Sequence, residues 1–267
     1  DIIFAFSGDT IAIAFNRLNG EILWQKNFKY PITGGPTANG KGVVFTLLDG
    51  SLHMLEMLSG KTLWETISIP EEGGIVGSAN PSMDEKIIVA PGTKDNFSVL
   101  NMDDGSFLWG DSLSGFNFET VIDEVQELSA HPIIYKDYLI IYSRSGKLIT
   151  YNKVDGSILW EHNFGGGQTP WVAGDSLFII TDLGVLKSIR LYDGAIRWIE
   201  NLRTKVNSKI NFFGPIVASN KLYLTGSDSN LYLFNPETGK LLNKIKLPGN
   251  ISSSPIIVNS KIFILSN

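Results

Sequence analysis

Short apolar stretches, each ended by a turn signal, follow one another along the whole chain. In one of them, Gly42–Leu48 is rich in β-branched residues, Asp49-Gly50 signals a tight turn, and Ser51–Met57 roughly alternates apolar and polar positions. After a second turn, the short segment Lys61–Glu65 ends the unit. With a further short strand before it, this pattern predicts a four-stranded antiparallel meander of about 40 residues. No stretch shows the periodicity of an amphipathic helix of useful length.

A fixed spacing shows that this unit is repeated. Five prolines are each followed 24 residues later by a glycine: Pro36 and Gly60, Pro81 and Gly105, Pro132 and Gly156, Pro170 and Gly194, and Pro215 and Gly239. Four residues after the repeated glycine stands a tryptophan in five copies and an asparagine in a sixth: Trp24, Trp64, Trp109, Trp160, Trp198 and Asn243. We interpret the repeated glycine as the positive-φ residue of a two-residue hairpin turn.

The repeat also predicts how the sheets pack. A single four-stranded sheet cannot bury both of its apolar faces, so sheets of this size are expected to stack radially rather than as a solenoid. The sequence therefore predicts an all-β fold, a β-propeller of four-stranded antiparallel blades. In this fold the five tryptophans are structural docking residues that cover the seams between neighbouring blades.

Composition excludes several classes of function. The 267-residue chain has a net charge of −5 with acids and bases interspersed, which argues against nucleic acid as a partner. It has no cysteine, and its three histidines lack ligand spacing, so we predict no metal site. No apolar run approaches the roughly 18 residues of a membrane helix. We find no catalytic constellation, and we predict neither catalytic residues nor a cofactor.

Three of the repeated turns carry closely related hexapeptides: Asn19-Gly20-Glu21-Ile22-Leu23-Trp24, Ser59-Gly60-Lys61-Thr62-Leu63-Trp64 and Asp155-Gly156-Ser157-Ile158-Leu159-Trp160. They resemble the tryptophan-docking motif of quinoprotein-like propellers. Along essentially its whole length the chain resembles the BamB-type lipoproteins that assemble outer-membrane β-barrels. Two details favour this family: the loss of tryptophan from the last motif, at Asn243, and the acidic segment Val121–Pro132.

The resemblance implies a propeller of eight blades in a complete member. This chain shows six docking motifs and the start of a further unit at Pro255. We therefore expect a single propeller domain over residues 1–267 that is either incomplete at its termini or a smaller ring, and the sequence leaves both alternatives open.

Two long consecutive connections between blades, Glu65–Asn80 and Gly110–His131, are the candidate binding segments, because binding residues concentrate on loops held by a rigid scaffold. In the family, loops at these two places dock on the periplasmic domains of the barrel-inserting partner, BamA. The resemblance implies partner-binding roles for Gly74, Ile75, Val76, Asp123, Glu127 and Ser129. The family has Arg where Val76 stands and Asp where Ser129 stands. The alternative is that Ile75 and Val76 form a loop tucked against the blade edge.

The resemblance implies a non-catalytic scaffold in the periplasm, associated with the outer membrane of a Gram-negative bacterium. Its expected partners are BamA-like periplasmic domains and other components of the assembly machine. Strands of unfolded client proteins are further candidates, through exposed strand edges. We expect membrane attachment only through a lipid anchor outside this chain. Two alternatives stay open: a propeller that binds a peptide or carbohydrate, with Trp171 as a stacking platform, and a quinone-dependent dehydrogenase.

Overall fold

The computed structural model describes residues 2–66, 79–92, 95–113, 128, 130–203, 210–259 and 261–266. These residues form twenty-five β-strands joined by turns, and this part of the chain contains no helix. In particular, the described residues include no helix long and apolar enough to cross a membrane. Within each sheet the strands lie in chain order.

The strands group into seven sheets. The first contains β1 (Ile2–Phe6), β2 (Ile11–Asn16) and β3 (Ile22–Asn27). The second contains β4 (Ile32–Ala38), β5 (Val43–Leu47), β6 (Leu52–Leu55) and β7 (Thr62–Glu65). The third contains β8 (Ser82–Met83), β9 (Ile87–Pro91), β10 (Asn96–Asn101) and β11 (Phe107–Ser112). The fourth contains β12 (Ile133–Tyr135), β13 (Tyr138–Tyr142), β14 (Leu148–Asn152) and β15 (Ile158–His162).

The remaining sheets follow the same order. The fifth contains β16 (Trp171–Ala173), β17 (Ser176–Ile180), β18 (Val185–Arg190) and β19 (Ile196–Asn201). The sixth contains β20 (Phe212–Ala218), β21 (Lys221–Gly226), β22 (Asn230–Phe234) and β23 (Leu241–Lys246). The seventh contains β24 (Ile256–Val258) and β25 (Lys261–Phe263). Successive four-stranded antiparallel meanders are the blades of a β-propeller, and the predicted fold class is confirmed.

By their contacts, the residues divide into two compact units: residues 1–145 with 152–157, and residues 146–151 with 158–267. In the first unit, β5 is buried on both faces. Val43 and Phe45 pack in one apolar cluster with Trp24, whereas Val44 packs in a second cluster with Met54. Because both faces are covered, all five residues of β5 are buried, and its sequence shows no alternation of apolar and polar positions, with Thr46 as its one polar residue. The second unit has its own core around β17, β18, β21 and β22.

The turn with the repeated glycine is longer than predicted. In the first sheet, the N–H of Asn16 donates to the O of Glu21 and the N–H of Gly20 donates to the O of Asn16, both at 2.8 Å. Four residues therefore lie in the loop, and the prediction of a two-residue turn is wrong. Gly20 does have a positive φ, of 73°. The Asn16 side chain accepts the N–H of Leu18, so the asparagine satisfies a donor inside the loop that the backbone leaves unpaired.

Candidate partner-binding site

Each docking tryptophan makes the same contact with the next repeat. The indole Nε1–H donates to the backbone O three residues before the next repeated glycine: Trp24 to Met57 (2.8 Å), Trp64 to Met102 (3.1 Å), Trp109 to Lys153 (3.3 Å), Trp160 to Leu191 (2.8 Å) and Trp198 to Pro236 (2.9 Å). The indole also lies against the glycine itself. A Cβ at Gly60, Gly105, Gly156, Gly194 or Gly239 would stand 2.6 to 2.8 Å from an indole carbon. The glycine therefore provides space for the ring as well as a positive φ.

In the first unit, the first strands of neighbouring blades are joined by a different contact. Thr37 Oγ1 donates to the O of Pro81, and Ser82 Oγ donates to the O of Pro132, both at 2.6 Å. In each case a threonine or serine directly after one of the repeated prolines donates its hydroxyl to the backbone O of the repeated proline in the next blade. The Pro-Thr and Pro-Ser dipeptides at these positions are the sequence signal for this contact, which was not among the predictions.

The ends of the two candidate binding segments lie side by side. The N–H of Asn80 donates to Nδ1 of His131 at 2.8 Å, and Asn80 Oδ1 accepts the N–H of Gly35 at 2.8 Å. Next to these residues, Ala79 and Ala130 are buried. Burial lowers the pKa of His131, which favours the neutral ring that this hydrogen bond requires. The C-terminal ends of both segments are therefore anchored to the blades and to each other.

The role of His131 is not predicted by metal-ligand spacing, the property by which the three histidines differ from a metal site. Asn80 and His131 occupy the same place in the repeat, directly before Pro81 and Pro132. A comparison of these pre-proline positions was the signal that could have paired them.

A cavity of about 320 Å³ lies next to this hydrogen bond. Its lining combines the polar residues Thr37, Asn80 and His131 with the apolar residues Met83 and Ile134. A concave surface with mostly apolar walls and a few placed polar groups is suited to receive a side chain or a small ligand.

The predicted partner-binding residues, Gly74, Ile75, Val76, Asp123, Glu127 and Ser129, lie outside the described residues. Their roles stay predictions. Trp171, the candidate stacking platform, is on β16 and is 37% exposed. Within the described ranges, no three His, Asp or Glu side chains come together as a set of metal ligands.

Repeated four-stranded blades with tryptophans docked on the glycine turn of the next blade define the class, a tryptophan-docking β-propeller. A family model described as outer membrane protein assembly factor BamB matches residues 1–200. The chain belongs to this family, and the predicted family resemblance is confirmed.

Individual relatives are distant in sequence. An uncharacterized protein of Rickettsia prowazekii is 25% identical over 270 residues, covering 93% of this chain and 65% of its own length. Outer membrane protein assembly factor BamB of Shewanella oneidensis is 21% identical over 252 residues, covering 94% of this chain and 63% of its own length. The chain therefore spans just under two thirds of the length of these relatives.

Solved structures agree on the fold. BamB from Moraxella catarrhalis superposes with a TM-score of 0.85 at 15% identity, over 100% of this chain and 79% of that one. A europium-containing methanol dehydrogenase superposes with a TM-score of 0.76 at 14% identity, over 96% of this chain and 69% of that one. At these identities the likeness shows a shared fold alone.

Proposed function

We propose that this protein is a non-catalytic scaffold in the assembly of outer-membrane β-barrel proteins. It acts in the periplasm, at the outer membrane, where it binds the periplasmic domains of a BamA-like barrel-inserting partner. The two segments Glu65–Asn80 and Gly110–His131 form the binding surface. Membership of the BamB family supports the role in assembly.

The hydrogen bond between Asn80 and His131 is the observation that carries the site. It holds the ends of both segments together within the first unit. The buried side chains of Ala79 and Ala130 anchor these ends to the blades. A partner that contacts both segments at once meets a surface whose ends are already ordered, so less conformational entropy is lost on binding.

The test is binding of the purified chain to the partner's periplasmic domains after replacement of Ile75 and Val76 by Glu. We expect binding to weaken at least about tenfold, because two apolar contacts are replaced by charges that must be desolvated. Affinity is measured by calorimetry and by pull-down. Thermal melting of the variant checks that the fold is unchanged.

The matched control is a double replacement of Leu18 and Val154 by Glu. Leu18 and Val154 are apolar side chains in turns, 79% and 75% exposed, and belong to neither segment. We expect the control variant to bind as the unchanged protein does. Equal affinity of both variants and the unchanged protein would contradict the proposed site.

A further inference from the structure

A second cavity, of about 310 Å³, lies in the second unit. One wall is formed by residues 163–165, which continue the chain beyond β15. The other wall is one face of the sheet that contains β17, β18 and β19. On this face Lys187 of β18 pairs with Ile199 of β19, and Val185 lies two residues before Lys187 on the same side of the strand.

Lys187 brings to this cavity a positive charge that forms no salt bridge with a described carboxylate. Its Nζ lies 3.4 Å from the ring centroid of Phe164, a cation–π contact. Burial lowers the pKa of Lys187, and no carboxylate in the described part of the chain lies close enough to raise it again. An ammonium group that has lost water without gaining an anion is a favourable partner for an incoming carboxylate.

The aromatic wall is held in place before any ligand arrives. The ring of His162 stacks on the ring of Phe164, with centroids 4.9 Å apart and planes 17° apart. His162 is itself fixed, because its Nε2–H donates to the O of Gly194 at 2.7 Å. Phe164 is therefore oriented by His162 as well as by Lys187, which reduces the ordering required of the site on binding.

The other apolar side chains that line the cavity are partly exposed to solvent. Leu183 is 68% exposed and Ile199 is 54% exposed, although both border the cavity. We propose that this cavity binds a free, short-chain carboxylate of about six carbon atoms. Its carboxylate pairs with Lys187 Nζ, and its alkyl chain covers Phe164, Leu183 and Ile199. The cavity volume lies at the small end of the range of volumes for ligand-binding sites, which suits a molecule of this size. This site is independent of the proposed scaffold function and of the two binding segments.

The first experiment uses the unchanged 267-residue protein and hexanoate, followed by two-dimensional ¹H–¹⁵N NMR. We expect saturable shifts at the amides of Leu183, Val185, Lys187 and Ile199. Hexanamide keeps the alkyl chain and lacks the charge, and hexylammonium reverses the charge. Both are expected to bind at least about tenfold more weakly, because the ion pair with Lys187 is lost or becomes repulsive.

The second experiment compares two lysine variants. Lys187→Met keeps the length of the side chain and removes the charge, and we expect hexanoate affinity to fall at least about tenfold. Lys244→Met is the matched control. Lys244 also lies near an aromatic ring, 5.0 Å from the centroid of Tyr232, but its Nζ already has a carboxylate of Asp228 at 3.4 Å. We expect this control to bind hexanoate as the unchanged protein does.

Three results would overturn the proposal: no saturable shift with hexanoate, equal binding of hexanoate and hexanamide, or unchanged affinity in Lys187→Met. The comparison of hexanoate with hexanamide needs no variant, so it decides the question even if Lys187→Met does not fold.

Discussion

The first and last strands of the sheets are joined to neighbouring sheets in different ways. On the last strands, five tryptophans repeat one contact, with an indole hydrogen bond and a glycine beneath the ring. Contacts of the first strands change along the chain. In the first unit, hydroxyls donate to a proline O and Asn80 donates to His131. The glycine before a repeat proline donates to a side-chain amide in both units, but Gly35 reaches Asn80 of the following blade, whereas Gly214 reaches Gln168, which lies before β16 of the preceding blade.

The two kinds of contact between sheets have different consequences for the structure. Because the same contact recurs at five seams, we expect it to fix the spacing of neighbouring blades. Contacts that differ from blade to blade leave the adjoining connections free to vary in length. The candidate binding segments end at such variable contacts, at Asn80 and His131.

The largest expected loss of stability follows from replacing a docking tryptophan. Trp160 is 9% exposed and its Nε1–H donates to the O of Leu191. We expect Trp160→Ala to lower the free energy of unfolding by about 3–5 kcal/mol, from lost burial and a new cavity.

The control is at Asn243, which occupies the same position in the sixth motif but lies on the exposed strand β23. Asn243→Ala is expected to change stability by less than about 0.5 kcal/mol. Urea denaturation measures both, and similar losses would mean that the seam does not depend on the indole.

The next effect separates the two roles of the repeated glycine. Gly194 and Gly20 have the same φ of 73°, but only Gly194 lies beneath an indole. A Cβ at Gly194 would stand 2.8 Å from Trp160, whereas a Cβ at Gly20 meets no atom within 4 Å. We expect Gly20→Ala to cost about 1 kcal/mol, from the left-handed backbone alone. Gly194→Ala is expected to cost a further 1–3 kcal/mol or so, from overpacking against the ring. If thermal unfolding gives equal costs for both variants, the indole contact adds nothing to the requirement for glycine.

The smallest effect concerns the variable contact at His131. Its pKa in the folded protein is lowered from 6.5 by burial, so the unfolded chain binds the proton first as the pH falls. The stability contributed by neutral His131 is therefore fully present above pH 6.5 and is lost as the pH falls below 6.5 toward the folded pKa. The dependence of the free energy of unfolding on pH is measured from urea unfolding midpoints between about pH 5 and 8.

His131→Asn is the variant for this test, because Oδ1 of asparagine stands as far from Cβ as Nδ1 of histidine does. The amide keeps an acceptor for the N–H of Asn80 and does not titrate. We expect a shallower loss of stability below pH 6.5 than in the unchanged protein. The slope does not vanish, because burial also lowers the pKa of His53. Identical slopes for the variant and the unchanged protein would show that protonation of His131 is not linked to folding.

The fold could be predicted from the sequence because its signals are local and periodic. The run Gly42–Leu48, the turn at Asp49-Gly50 and the spacing from Gly60 to Trp64 each lie within one repeat, and the repeats agree with one another. The length of the glycine turn was predicted wrongly. The sequence signal for a positive φ at Gly20 is the same in a two-residue and a four-residue loop, and the hydrogen bond from Gly20 to Asn16 distinguishes them.

The chain by itself determined the blade, its repeat and the residues that recur in it, because strand pairing within a meander joins residues close in sequence. Tertiary structure decided which residues of different repeats meet outside the tryptophan contacts. Asn80 and His131 are 51 positions apart, and the charge of Lys187 comes to lie over Phe164 from a different blade. Such contacts depend on how whole sheets pack, which no spacing within one repeat encodes.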